Sequence, residues 1–173
     1  MTSVTSTDVV IDVSAIKRVI PHRHPVLLLD RVTDVVPGRS LTAVKAVTCN
    51  EPWYAAVDDT ARPWEYRYPP TLLVESWCQA AAFLVGWARP NPDVLSGEVM
   101  LGVGISGVRF GGPVFPGAVL RHHVRLRRAV TGAAICEGET AVGARTVLSV
   151  ADFVLALRPA DTLLRAPAAG ERP

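Results

Sequence analysis

The sequence predicts an α+β fold in which an antiparallel sheet of about six strands wraps around one long central helix. The chain has 173 residues, of which 49% are hydrophobic, so it can bury one sizeable core but is short for two domains. An almost wholly apolar run from Thr71 to Ala88 is typical of a helix about 27 Å long that is covered on most sides. Only the β-rich remainder of the chain is large enough to cover that helix. We expect one domain over residues 15–158, between flexible segments at residues 1–14 and 159–173.

The elements of this fold can be assigned in chain order. A short helix over "SAIKRVI" opens the domain, with Ser14 as its N-cap and Pro21 at its end. The runs "VLLLDRVTDVV" and "SLTAVKAVT" are separated by the turn signal "PGR" and predict an antiparallel pair of strands. After the central helix, further strands are predicted over "VMLGVGISGVRF", "AVLRHHVRLRRAV", "AAICEGETAVG" and "TVLSVADFVLAL", with breaks that include "GGPVFPG" and a Thr131-Gly132 turn.

The predicted strand at residues 118–130 has the clearest alternation of the chain. Leu120, Val124 and Leu126 fall on one face, and the opposite face carries Arg121, His123, Arg125 and Arg127. This pattern is typical of a sheet with one side in water. The basic row is either an ordinary solvated face or a docking surface for an acidic partner.

Composition and the lack of targeting signals exclude several classes of function and location. Eighteen basic against sixteen acidic residues give a net charge of +2, which does not indicate nucleic-acid binding. Cys49, Cys78 and Cys136 lack the paired spacing of a zinc site or a disulfide framework, so we expect a reduced, cytoplasmic protein without a metal. The start of the chain, "MTSVTSTDVVIDVS", lacks the basic and apolar parts of a secretory signal. The apolar run carries Glu75 and Gln79 and barely reaches the length of a bilayer span, so we expect a buried helix and no membrane partner.

Glu75 is the one carboxylate inside the central apolar run. It stands just after a Pro-Pro pair and has the apolar neighbours Leu72, Leu73, Val74 and Trp77. A glutamate near a helix start is often an ordinary solvent-facing residue. The apolar surroundings favour a functional carboxylate here.

Four stretches together resemble a known family. "IPHRHPVLLLDRV", "VTCNEP", "PPTLLVESWCQAAAFL" and "VRFGGPVFPG" occur in the order and spacing of the 3-hydroxyacyl-acyl-carrier-protein dehydratases of the FabZ type. The resemblance covers about residues 16–157. It implies the hot-dog fold, a homodimer or heterodimer, and removal of water from a 3-hydroxyacyl thioester in fatty acid or polyketide synthesis. It also implies that the acyl chain arrives on the phosphopantetheine of an acyl carrier protein and that no metal or redox cofactor is needed.

The resemblance also assigns roles to individual residues. In the family a histidine in a Gly-His-Phe-Pro segment takes the α-proton, while a helix carboxylate from the other subunit assists departure of the β-hydroxyl. Glu75 matches that carboxylate, and a pKa raised by an apolar cavity would suit it as an acid. Gln79 matches a glutamine on the same helix face and is expected to bind substrate. For His22 and His24 the resemblance implies a packing role.

Two features depart from the family pattern. The chain has no histidine between His24 and His122, and the segment "WYAAVDDTARPWEYRYPP" is longer than the family's and places Val57 at the histidine position. Asp58 and Asp59 lie beside that position and are either a substitute base or an exposed loop. The insertion around Trp64 to Tyr68 has no assigned role.

The second departure lies at the start of the central helix, where the family has Pro-Gly and a backbone N–H that polarises the thioester carbonyl. Pro70 replaces that glycine and has no N–H, so the next amide, that of Thr71, is the candidate for binding the substrate carbonyl.

Three hypotheses follow. In the first, the chain is a dehydratase subunit that contributes Glu75 to a composite site with a histidine-bearing second hot-dog subunit. In the second, the chain is a non-catalytic hot-dog subunit that stabilises a partner dehydratase or docks the carrier protein through Arg121, Arg125, Arg127 and Arg128. In the third, it is a thioesterase or hydratase for coenzyme A esters that uses Asp58 or Asp59.

Overall fold

The computed structural model describes residues 10–164 and shows one long helix held against a curved antiparallel sheet. In chain order the elements are α1 (Val13–Val19), β1 (Arg31–Val36), β2 (Ser40–Ala46), two short 3₁₀ turns (Pro52–Tyr54 and Pro63–Tyr66), α2 (Pro70–Gly86), β3 (Glu98–Ser106), β4 (Arg109–Phe110), β5 (Val119–Val130), β6 (Ala133–Val142), β7 (Arg145–Pro159) and α3 (Ala160–Leu164). The α+β prediction is confirmed.

The sheet runs in the order β1-β2-β5-β6-β7-β3, and β4 also pairs with β7. All of these pairings are antiparallel. The seventh strand arises because the predicted run 99–110 divides at Gly107, which has φ 61°. A Cβ at this glycine would lie 2.5 Å from the Cβ of Ala151, so only glycine allows the chain to pass there.

The ends of the fold differ from the sequence prediction. Asp12, not Ser14, caps α1: its carboxylate accepts hydrogen bonds from the Ala15 N–H at 3.0 Å and from the Ser14 hydroxyl at 2.7 Å. Ile11 is buried and pairs with Val32, and α3 continues the chain beyond residue 158. Ordered structure therefore extends past both ends of the expected domain. Residues 1–9 and 165–173 of the expected flexible segments lie outside the described part of the chain.

Helix α2 forms the centre of the core, and it contacts β2, β3, β5, β6 and β7. Its buried face includes Leu73, Trp77, Ala80, Phe83 and Leu84. The inner face of β5 meets it, as the alternation predicted: Leu120 and Val124 are buried. Between residues 10 and 164, no helix is long and apolar enough to cross a membrane.

Trp77 is the largest fully buried side chain of the described residues. Its indole N–H donates to the His123 carbonyl at 3.2 Å, and its ring packs edge-on against Phe153 with centroids 6.1 Å apart. This side chain thereby ties the centre of α2 to β5 and β7.

We expect Trp77→Ala to lower the free energy of unfolding by about 3–5 kcal/mol, because it leaves a cavity and removes the indole hydrogen bond to His123. The exposed Trp64 is the matched control, and Trp64→Ala should change that free energy by no more than about 0.5 kcal/mol. Urea denaturation followed by circular dichroism measures both. Equal losses in the two variants would contradict this account of the core.

Candidate functional site

Glu75 lies in the second turn of α2, with 42% of its side chain exposed. Its Oε1 accepts a hydrogen bond from the Gln79 amide at 2.9 Å and lies 3.3 Å from Nε2 of His22. The carboxylate is therefore fixed by two neighbours of its own chain and still reaches solvent.

Gln79 holds this arrangement together from inside the core, where it is 1% exposed. Its Oε1 accepts from the Leu28 N–H at 2.8 Å, and its Nε2 donates to the Val26 carbonyl at 2.7 Å as well as to Glu75. Both amide hydrogens are thus used within the chain. Gln79 therefore positions Glu75 in this structure, and its predicted contact with the substrate stays a prediction.

His22 reaches Glu75 from the segment that follows α1. The Arg23 guanidinium braces this segment by donating to the carbonyls of Lys17, Ile20 and His22 at 3.0, 2.9 and 2.7 Å. Nδ1 of His22 is buried and has no hydrogen-bond partner among the described residues, so Nε2 is the ring nitrogen that meets a polar group. The family resemblance implied a packing role for His22, and nothing in the sequence pattern links residue 22 to residue 75.

The charge state of Glu75 differs from the sequence expectation. Burial raises the pKa of Glu75, but the hydrogen bonds from His22 and Gln79 and the charge of His22 outweigh it, and the pKa lies below its ordinary value. The prediction of a raised pKa was wrong because it considered the apolar neighbours on α2 and not the histidine from another segment. Near neutral pH the resting Glu75 is therefore a carboxylate.

The segment that replaces the family's histidine loop offers no base in its place. Val57 is half-buried and packs against the core. Asp58 is exposed, and its carboxylate accepts from the N–H and hydroxyl of Thr60 at 2.8 and 2.5 Å, which lowers the pKa of Asp58. Asp59 is also exposed. These aspartates form a surface turn.

Beneath this segment lies a buried ion pair that the sequence analysis did not identify. Nζ of Lys45 is 3.1 Å from Oε2 of Glu51, and both side chains are nearly inaccessible to solvent. Trp53 and Tyr68 pack edge-to-face above it, and the Tyr68 N–H donates to the Val114 carbonyl at 2.8 Å. The rewritten segment thus has a specific fold, anchored by a charged pair and aromatic rings.

The first turn of α2 presents one backbone donor. Pro70 has no N–H, and the amides of Leu72 and Leu73 donate to the Pro69 carbonyl at 3.0 and 3.1 Å. The Thr71 N–H donates to no acceptor within residues 10–164, and this residue is exposed. Thr71 therefore retains the free amide that the sequence analysis predicted at the helix N-terminus.

Burial makes His122 and two of the thiols unsuitable as proton carriers. His122 is fully buried, with Nδ1 2.8 Å from the Thr140 hydroxyl, and burial lowers the pKa of His122 to about 3. His123 lies on the other side of β5, 3.3 Å from the Thr42 hydroxyl. Burial raises the pKa of Cys78 and of Cys136 to about 12, so both remain neutral.

The arginine row on the outer face of β5 is partly neutralised. Arg127 pairs with Asp152, and Arg125 lies 3.7 Å from Glu137. Arg121 and Arg128 are exposed and pair with no acidic side chain in the described residues. The row faces away from α2, so it does not lie directly beside Glu75 in the same chain.

Strand β3 forms an open edge of the sheet on the flank that carries His22. No described strand pairs with its outer side, and Val103 and Ile105 are 58% and 40% exposed. His22 lines a small cavity together with Met100 of β3. His22, which contacts Glu75, thus lies near the first residues of β3, and an open edge strand is suited to pairing with another chain.

Comparisons with known sequences identify the relatives of this chain. Residues 20–151 match the family model described as a FabA-like domain. The chain is 38% identical over 150 residues to the 3-hydroxyacyl-[acyl-carrier-protein] dehydratase FabZ of Anaeromyxobacter sp., a match covering 83% of this chain and 92% of that protein. It is 35% identical over 147 residues to FabZ of Oleidesulfovibrio alaskensis, covering 82% and 92%.

Solved structures with the same fold include the dehydratase heterocomplex ApeI:P from Xenorhabdus doucetiae. That match has a TM-score of 0.70 at 17% identity and covers 86% of this chain and 94% of that one. Cj0977, a sigma28-regulated virulence protein from Campylobacter jejuni, matches with a TM-score of 0.60 at 11% identity, covering 90% and 95%. From the sequence matches and the hot-dog architecture, we conclude that the chain belongs to the FabZ family of 3-hydroxyacyl-acyl-carrier-protein dehydratases, which are lyases.

Proposed function

We propose that this chain is a dehydratase subunit for 3-hydroxyacyl-acyl-carrier-protein thioesters in fatty acid or polyketide synthesis. It contributes Glu75 to a composite site whose histidine belongs to a second hot-dog subunit. The observation that carries the proposal is a solvent-accessible Glu75, fixed by His22 and Gln79, in a chain whose corresponding loop contains no histidine. We also propose that the protein is located in the cytoplasm.

Each residue of the site has a defined task in this proposal. The partner's histidine removes the proton from the α-carbon, and the electron pair of that C–H bond forms the new double bond. Glu75 lies at the β-hydroxyl, which departs as water, and Gln79 keeps the carboxylate in place. The free Thr71 amide at the N-terminus of α2 supports the negative charge that develops on the thioester oxygen. As in the family, these steps require no metal or redox cofactor.

The open edge of β3 supports the presence of a partner subunit. Exposed apolar residues on an unpaired strand are unfavourable in water and are removed from it when a second chain adds its own strand. His22 and the first residues of β3 line the same cavity, so a chain that pairs with this edge can bring a loop towards the site. The ApeI:P match, a dehydratase heterocomplex, is in line with such an assembly.

We expect Glu75→Gln to reduce dehydration by the complex of this chain with its histidine-bearing partner by about 100-fold or more, because the amide cannot exchange a proton with the leaving group. The measurement follows the ultraviolet absorbance of the enoyl thioester with 3-hydroxybutyryl-acyl-carrier protein as substrate. Glu137→Gln, on the outer face of the sheet, is the matched control and should retain full activity. The proposal also requires that the isolated chain be almost inactive.

A non-catalytic subunit is the second candidate, favoured by the missing loop histidine and by Pro70 in place of an N–H donor. If the chain is non-catalytic, Glu75→Gln should leave the activity of the complex unchanged. Charge reversal at the docking residues should abolish that activity. The docking residues are Arg121, Arg125, Arg127 and Arg128. Release of free thiol from acyl-coenzyme A by the isolated chain would instead support the thioesterase hypothesis. The exposed turn formed by Asp58 gives that hypothesis no support.

The proposed interface at β3 can be tested by measuring association of the two chains, independently of catalysis. The double variant Val103→Lys/Ile105→Lys should weaken association with the partner at least tenfold, about 1.4 kcal/mol, because charges on an edge strand oppose its pairing. Val130→Lys is the control, since Val130 is equally exposed at the end of β5. Sedimentation velocity of the mixed chains measures the association. Full association of the double variant would rule out β3 as the interface.

A further inference from the structure

The proposed site leaves one chemical requirement open. The departing β-hydroxyl needs a proton, but the resting Glu75 is a carboxylate and has none to give. Any acid at this position must therefore receive a proton from a neighbour before or during the reaction. His22 is the titratable side chain that contacts the Glu75 carboxylate.

The geometry gives a proton on His22 a single polar destination. Nε2 lies 3.3 Å from Oε1 of Glu75, whereas Nδ1 is buried without a partner in residues 10–164. Histidine is the side-chain type whose ordinary titration lies near neutral pH, so it can both hold and release a proton there. Gln79 contacts the same Oε1 but cannot donate a proton as an acid.

We propose that His22 supplies, through Glu75, the proton that leaves with the β-hydroxyl. His22 is then a positioning and proton-supplying residue that acts through Glu75, while Glu75 touches the substrate. This inference rests on the proposed function, since it assumes that Glu75 works at the leaving group. In this proposal, both groups that carry the proton to the leaving hydroxyl, His22 and Glu75, belong to this chain.

Each proton and electron pair in the proposed elimination has a defined destination. The partner's base takes the α-proton, the C–H electron pair becomes the carbon–carbon double bond, and the Cβ–O bond breaks with its electron pair going to oxygen. That oxygen receives a proton from the Glu75 carboxyl group and leaves as water. Glu75 has taken this proton from Nε2 of His22, which becomes neutral. The base then releases its proton to solvent, and His22 regains one from solvent.

Other charged and titratable groups near the pair do not replace His22. Cys78, next to Glu75 on α2, has a pKa raised to about 12 by burial and stays protonated. The Arg23 guanidinium is occupied by backbone carbonyls. The cavity beside His22 is also lined by two charged residues, Arg89 and Glu98, neither of which pairs with Glu75.

The test uses His22→Gln in the active complex, because glutamine can keep an N–H donor near Glu75 but cannot supply a proton. We expect kcat near neutral pH to fall about 100-fold with little change in KM. The pH profile should also change: kcat should recover as the pH is lowered and Glu75 takes its proton from solvent. His24→Gln, in the same segment, is the matched control and should behave like the wild type. A purely structural role for His22 would leave the pH profile unchanged.

The outcomes separate this inference from the proposed function. If Glu75→Gln is inactive and His22→Gln keeps the wild-type kcat and pH profile, the proposed function stands and the role of His22 is wrong. If Glu75→Gln is fully active, the proposed function itself fails.

A measurement on the wild-type chain alone covers the case in which His22→Gln does not fold. Nuclear magnetic resonance can follow the Glu75 carboxyl carbon and the His22 ring against pH. We expect each signal to report both titrations, because groups in contact titrate as a coupled pair. Independent single-step curves would overturn the proposal.

Discussion

The site depends on one buried amide, that of Gln79. Its oxygen and one of its hydrogens hold the backbone of Leu28 and Val26, and its other hydrogen holds Glu75. Because the amide is buried, losing any of these bonds would leave an unpaired polar group in the core. The hydrogen bonds of Gln79 hold the 20–28 segment against α2 and thereby bring His22 to Glu75. The packing of the fold therefore sets the geometry of the Glu75–His22 pair.

The proposed function divides the chemistry between two chains. Both residues of the proposed acid half, Glu75 and His22, lie within the described structure, whereas the loop that carries the base in the family is here an aromatic segment over the Lys45–Glu51 pair. Backbone hydrogen bonds anchor that segment, and its aspartates lie at the surface. It therefore has a defined structure but presents no acid–base group to Glu75. The open edge of β3 is where we propose that the partner subunit binds and brings its histidine.

Much of the fold could be predicted from sequence, because local patterns determine it. The alternation in β5 and the apolar run of α2 gave the sheet and its central helix, and the family motifs gave the hot-dog architecture. The β3–β4 break required knowledge of how closely Gly107 approaches Ala151. Within the site, Glu75 and the free Thr71 amide could be predicted. The His22 contact and the lowered pKa of Glu75 could not, since both depend on a tertiary contact across 53 positions of sequence.

The central claim is that Glu75 of this chain and a histidine of a partner chain form one composite site. A crystal structure of the two chains with an unreactive 3-hydroxyacyl-pantetheine analogue tests it most directly. The account predicts the Glu75 carboxyl group within hydrogen-bond distance of the β-hydroxyl, with His22 behind it and the partner's histidine beside the α-carbon. An analogue bound away from Glu75, or an assembly in which no partner histidine approaches the α-carbon, would contradict the account.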